Sequence, residues 1–245
     1  MELVTPPPAV VPQGNVPMIP SYGEGAIRGE FTSADIRLPR LQIVQGSGEL
    51  SKKYNQGTLL YMDEVLFDAV SPTQPPAVLK FIPIALRKQF RENVDPKQDP
   101  DARPRIVDTM EQVKQLGGWT EWIGGVKPPF SPSAQISMLI EKPAKSQHGG
   151  FNIELDGRLF APAIYFASGA GYRALAHPVF NAAAYLLREN GKLVLSKRYW
   201  RMSVVRQPAG AFTVFVPDAK VTGEETSPAI RELCGRFIHA DLGGE

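Results

Sequence analysis

Proline and glycine punctuate this chain at short intervals, 23 and 22 of them in 245 residues, against an average combined share of about 12%. Turns at that density favour short strands over long helices. An apolar share of 43% still supports a core. A compact chain of this size buries roughly 70–75% of its unfolded surface, which suits one large domain with appendages.

Punctuation also sets the order of elements. Six prolines, at positions 6, 7, 8, 12, 17 and 20, mark residues 1–30 as a flexible or extended arm. "DIRLPRLQIVQGSGEL" (35–50) opens the folded part, and Pro39 makes any strand there short or peripheral. "QGTLLYMDEVLF" (56–67), "AVLKFIPIALRKQF" (77–90) and "AQISMLIEK" (134–142) read as strands. Residues 91–108 form a polar, proline-punctuated loop expected to project. "FNIELDGRLFAPAIYFA" reads as a hairpin turning at Asp156-Gly157. A second hairpin runs from "LVLSKRYWRMSVV" through a turn at "QPAG" to "AFTVFVP". Helices are expected over "DTMEQVKQL", over 168–192 with a split or kink at Pro178, and over 227–240, where Ser227-Pro228 supplies the start. Without alternating βαβ units, the class is mainly β or α+β rather than a doubly wound sheet.

Charge is segregated along the chain. Residues 157–217 hold eight cations, Arg158, Arg173, Arg188, Lys192, Lys197, Arg198, Arg201 and Arg206, against one acid, Glu189. The total of +2 conceals this run. Within it, "SKRYWRMSVVRQ" (196–207) sets aromatic rings beside cations on both faces of a strand: Arg198, Trp200 and Met202 on one, Lys197, Tyr199 and Arg201 on the other. Rings stack on unpaired bases and cations neutralise phosphates, the pattern of a single-strand binder. The same stretch also reads as a core strand, with Trp200 and Met202 inside and Lys197 and Arg201 as solvated edge charges. "FASGAGYR" (166–173) reads as a plain turn into a helix and lacks the Gly-Lys-Ser/Thr of a phosphate loop.

Little in the sequence points to catalysis. His148, His177 and His239 have no metal-ligand spacing, and the acidic pairs Asp63-Glu64 and Glu224-Glu225 read as solvated surface. The single cysteine, Cys234, excludes an internal disulfide and a multi-cysteine zinc site. No cofactor is expected. With no signal-peptide pattern and no run of about 18 apolar residues, the expectation is a cytoplasmic protein with no membrane partner.

"DIRLPRLQIVQGSGEL", "AVLKFIPIALRKQF" and "LSKRYWRMSVVRQP…FTVFVP", in that order, resemble a diffuse group of bacteriophage and prophage single-stranded DNA-binding proteins. The resemblance covers about residues 33–220. It implies an OB-like antiparallel β-barrel with added helices, spanning 31–245, and a role in phage DNA replication or recombination. Cysteine clusters found in the middle loop of some relatives are missing here, as is a strongly acidic C-terminal tip. The expectation is therefore a non-catalytic binder of single-stranded DNA, a homo-oligomer that meets phage replication or recombination proteins. Its candidate contacts are Lys197, Arg198, Tyr199, Trp200 and Arg201, with Tyr172, Arg173, Arg206, Arg87 and Lys88 further out. The alternatives are a virion or assembly protein whose arm wraps a neighbour, and a metal-dependent enzyme acting on nucleic acid.

Overall fold

The computed structural model describes residues 39–67, 77–95, 103–144, 146–185, 187–189, 192–210 and 212–242. The expected arm, residues 1–30, lies outside the described residues.

The chain is mainly β, and its principal sheet curls into a half-barrel. The strands are β1 (Arg40–Ile43), β2 (Leu59–Tyr61), β3 (Glu64–Phe67), β4 (Leu79–Glu92), β5 (Ile106–Val107), β6 (Phe130–Glu141), β7 (Ile153–Leu155), β8 (Arg158–Ser168), β9 (Arg188–Glu189), β10 (Lys192–Leu193), β11 (Arg198–Ala209) and β12 (Phe212–Glu225). The principal sheet runs β12-β11-β4-β6-β8-β1-β2-β3, with β5 beside β4 and β7 beside β8. Every pairing is antiparallel except β1 with β8.

The helices are α1 (Leu50–Lys53), α2 (Met110–Gln115), α3 (Gly169–Gly171), α4 (His177–Tyr185) and α5 (Pro228–Leu242). A π-helical stretch, Tyr172–Ala176, joins α3 to α4. These last three segments plug the concave side: Leu175, Ala176, Val179 and Ala182 pack against Ile136, Met138, Trp200, Met202 and Phe215. On the convex side α5 sets Ile230 and Cys234 over Ile82, Ile84, Leu139, Phe160 and Tyr199. Burial pushes the Cys234 thiol up to about 12, so it packs as a small hydrophobe. A third, smaller cluster joins Phe90, Val113 and Phe130 under α2.

Local chemistry explains several boundaries. The Asp156-Gly157 hairpin forms as expected, both residues at positive φ (53° and 71°), the mirror-image turn that matches strand twist. Thr109 and Gln112 cap α2 reciprocally. Ser227 Oγ accepts from the Ile230 N–H at the start of α5. Pro83 interrupts central β4, and there the β4–β6 register shifts by a bulge while the β4–β11 ladder ends at Phe81. On edge strand β12 the backbone of Phe215 faces away from β11. The Gln45 amide completes it, Nε2 donating to Phe215 O at 2.8 Å and Oε1 accepting from Phe215 N at 3.1 Å. Pro217, two residues on, presents its missing N–H to the same outer edge, where no ladder bond is lost.

Five expectations need correction. "QGTLLYMDEVLF" is two strands, not one, folded about Met62 and Asp63 at φ 51° and 61°. The helix expected over 168–192 ends at Tyr185, and β9 pairs with β10 beyond it. Pro178 does not split it, because it sits two residues into α4, where the π-helical stretch has already absorbed the irregularity. The "QPAG" turn is instead the end of β11, since Gln207, Pro208 and Ala209 pair with Val214, Thr213 and Phe212. The loop 91–108 is tied back at both ends: Arg91 and Glu92 belong to β4, and Ile106 pairs with Arg91.

Candidate nucleic-acid interface

The opening candidate, β11, is covered on both faces. Trp200 is 1% exposed and lies against Phe81 with ring centroids 6.1 Å apart, inside the concave core. Tyr199 is 3% exposed beneath α5. Its ring already has cations, with Lys80 Nζ at 5.0 Å and Arg158 Cζ at 5.2 Å. Neither ring offers a face to a base, so both stacking assignments are corrected. Lys197 lies in a short 3₁₀ turn (Leu195–Lys197) before β11, not on the strand.

Folding also neutralises part of the basic run. Arg158 Nη1 donates to Glu224 at 2.8 Å and Lys80 Nζ to the other Glu224 oxygen at 2.8 Å, with Glu141 at 3.5 Å from Arg158 and 3.9 Å from Lys80. Arg198 sits 3.6 Å from Glu225. The acids come from outside residues 157–217, so sequence-local counting overstates the field. Of that run, Arg173, Lys197, Arg201 and Arg206 have no ion pair among the described residues. They do not converge. Arg201 sits between Lys80 and Lys220 on neighbouring strands, whereas Arg206 lies near the hairpin end and Arg173 on the helical plug. Tyr172 is half-buried against Phe180 on that plug.

The hydrogen bonds of Lys80, then Arg158, hold the Glu224 carboxyl below its ordinary value of 4.5. A carboxylate depressed in the fold stabilises above its unfolded pKa, about 4.3, and that contribution disappears as pH falls through the folded value. Glu224→Gln should therefore melt below the parent at about pH 7, with the gap closing near pH 3. Equal gaps at both pH values in thermal melting would contradict this.

A different part of the sheet is exposed at Arg87, Phe166 and Ser168. In β6 the residues Ala134, Ile136 and Met138 face the core, so Gln135 faces the convex side, half-buried between the buried Ser133 and Ser137. In β8 the inward set is Ala161, Ala163, Tyr165 and Ala167, which turns Ile164, Phe166 and Ser168 outward. Phe166 is 48% exposed, and the Arg40 guanidinium of β1 stands 5.8 Å from its ring centroid. Gln135 pairs directly with Phe166, and Arg87 of β4 with Gln135. Phe166, Gln135 and Arg87 thus form one row across three strands, with Cα atoms of Phe166 and Arg87 roughly 10 Å apart, and Arg40, in register with Ile164, reaches Phe166 diagonally.

Comparisons with family models, with curated proteins and with solved structures find no match to this chain. The surface is therefore read from its own chemistry.

Arg87 forks onto Asp108 (Nη2–Oδ2 2.6 Å, Nε–Oδ1 3.1 Å), and Gln89 adds a third bond at 3.3 Å. The Arg87 bond, with a smaller part from Gln89, holds the Asp108 carboxyl below its usual range. This pair presents an oriented guanidinium at the surface, with a carboxylate that an incoming phosphate has to displace. Lys88, by contrast, points to the other side of β4 and lies 5.4 Å from the Phe90 ring. Arg87 and Lys88 are not one contact. Two cavities flank the row, one of about 610 Å³ that includes Arg87 and Gln135, and one of about 460 Å³ that includes Arg40 and Phe166. Arg40, Gln135 and Phe166 were missed from sequence. Gln135 carried a signal in the polar half of the alternation in "SPSAQIS", whereas nothing local in the sequence set Arg40 and Phe166 beside it.

No group of three or more His, Cys, Asp or Glu side chains suited to a metal ion occurs among the described residues. None of the described helices is long and apolar enough to cross a membrane.

Proposed function

We propose that the chain is an OB-like single-stranded DNA-binding protein and that the strand lies along the open convex face, not on the β11–β12 hairpin. The observation that carries this reading is Phe166, a half-exposed ring with a guanidinium at 5.8 Å, in a row that ends on Arg87. Base–aromatic stacking is indifferent to sequence and stabilises by about 1–3 kcal/mol per base. Arg40 and Arg87 supply phosphate contacts, and Gln135 and Ser168 leave the floor polar. A role in phage replication or recombination, and self-association, follow only from the resemblance of the sequence.

Fluorescence anisotropy over a salt series tests the reading. Single strands should bind more tightly than duplex, with a log–log salt slope of about −0.7 per phosphate contact. Equal affinity for duplex would remove the stacking argument.

A second reading, an assembly protein, draws on exposed apolar tips. Trp122, Ile123 and Val126 surround a tight turn, and Phe212 begins β12. A large closed assembly with no single-strand preference, measured by light scattering and anisotropy, would favour it.

A further inference from the structure

Helix α5 carries a glycine, Gly235, in its interior. Glycine there is unfavourable relative to alanine, yet a Cβ built on Gly235 meets no atom within 4 Å. Packing within the chain does not demand it. What Gly235 faces is the cavity of about 610 Å³, within the size range of small-molecule sites. Ile84 and Val194 give it apolar walls. Arg231, one turn before Gly235, lines it too, half-buried and with no ion pair or side-chain hydrogen bond among the described residues. A partly desolvated guanidinium beside apolar walls favours an anionic occupant with a flat or apolar body. Arg87 and Gln135 belong both to this cavity and to the row that holds Phe166.

We infer that the cavity receives one nucleobase splayed from the bound strand, with its flanking phosphate on Arg231 and Arg87. This rests on the open face being the single-strand surface. Gln135 puts a half-buried amide at the cavity wall, where the edge of a base needs one. A wholly hydrocarbon ligand would leave that amide facing carbon. The missing side chain at Gly235 leaves room for the ring.

The test uses the full chain and short oligothymidines carrying 2-aminopurine at each position in turn, a base whose emission rises when it unstacks. Among the described residues no aromatic side chain lines the cavity to quench it. Wild type should brighten the probe severalfold on binding. Gly235→Trp, which fills the cavity, should lose that rise and about tenfold in affinity, within the range of one base contact. Arg231→Gln should weaken binding and flatten the salt slope by about one phosphate, and it decides the matter if Gly235→Trp fails to fold. Binding without brightening in wild type, or a Gly235→Trp protein that binds and brightens like wild type, overturns the cavity assignment. If Phe166→Ala alone abolishes binding while both cavity variants behave as wild type, the cavity is wrong and the open face stands. If wild type binds no single strand, the functional reading itself is wrong, and the cavity proposal falls with it.

Discussion

Trp200→Ala is expected to cost about 3–5 kcal/mol of stability and to leave the single-strand affinity of the folded molecules unchanged. The ring is 1% exposed and sits where β4, β11 and the helical plug meet, with Phe81, Met138 and Met202 as neighbours in one cluster. Truncation leaves a cavity that three rigid elements cannot close. Its Nε1–H has no hydrogen-bond partner among the described residues. Trp200→Phe therefore removes an unsatisfied donor along with volume and should cost distinctly less than the alanine variant. Chemical denaturation and anisotropy on the same samples check both statements. A Trp200→Ala protein of unchanged stability that no longer binds would return the site to the β11–β12 hairpin.

Phe166→Ala should do the opposite. The side chain is half exposed and outside the buried clusters, so its loss should shift the melting temperature little. Binding to single strands should weaken by about 1–3 kcal/mol. Arg40→Gln should add a smaller loss together with a shallower salt slope. The two side chains touch across adjacent strands, so their effects should couple, and the double variant should lose less than the two single losses added together. Full affinity in the Phe166→Ala protein would refute the open-face assignment.

What the sequence made legible was local. Asp156-Gly157 and Ser227-Pro228 each act within a few residues, and each marks its element correctly. The turn at Met62-Asp63 was illegible because its positive φ angles are imposed on residues that do not prefer them. In β11 the period of two separated Tyr199 from Trp200 correctly. It could not tell that both faces are covered, one by the plug after β8 and the other by α5, since that depends on residues 30 or more positions away in one case or the other. The same limit misled the charge reading. Glu141, Glu224 and Glu225 reach Arg158 and Arg198 only through the register of the sheet. The open face was hidden for the complementary reason. Phe166 gains meaning only when β8, β6 and β4 align it with Gln135 and Arg87.

The most direct test of the open-face assignment is photocrosslinking. A short single strand carrying 5-bromodeoxyuridine is bound to the full chain, irradiated, and the adducts are mapped by mass spectrometry. Adducts are predicted in the β8 peptide containing Phe166 and in the β4 and β6 peptides beside it. Adducts confined to the β11–β12 hairpin, or to the turn bearing Trp122, would contradict the assignment.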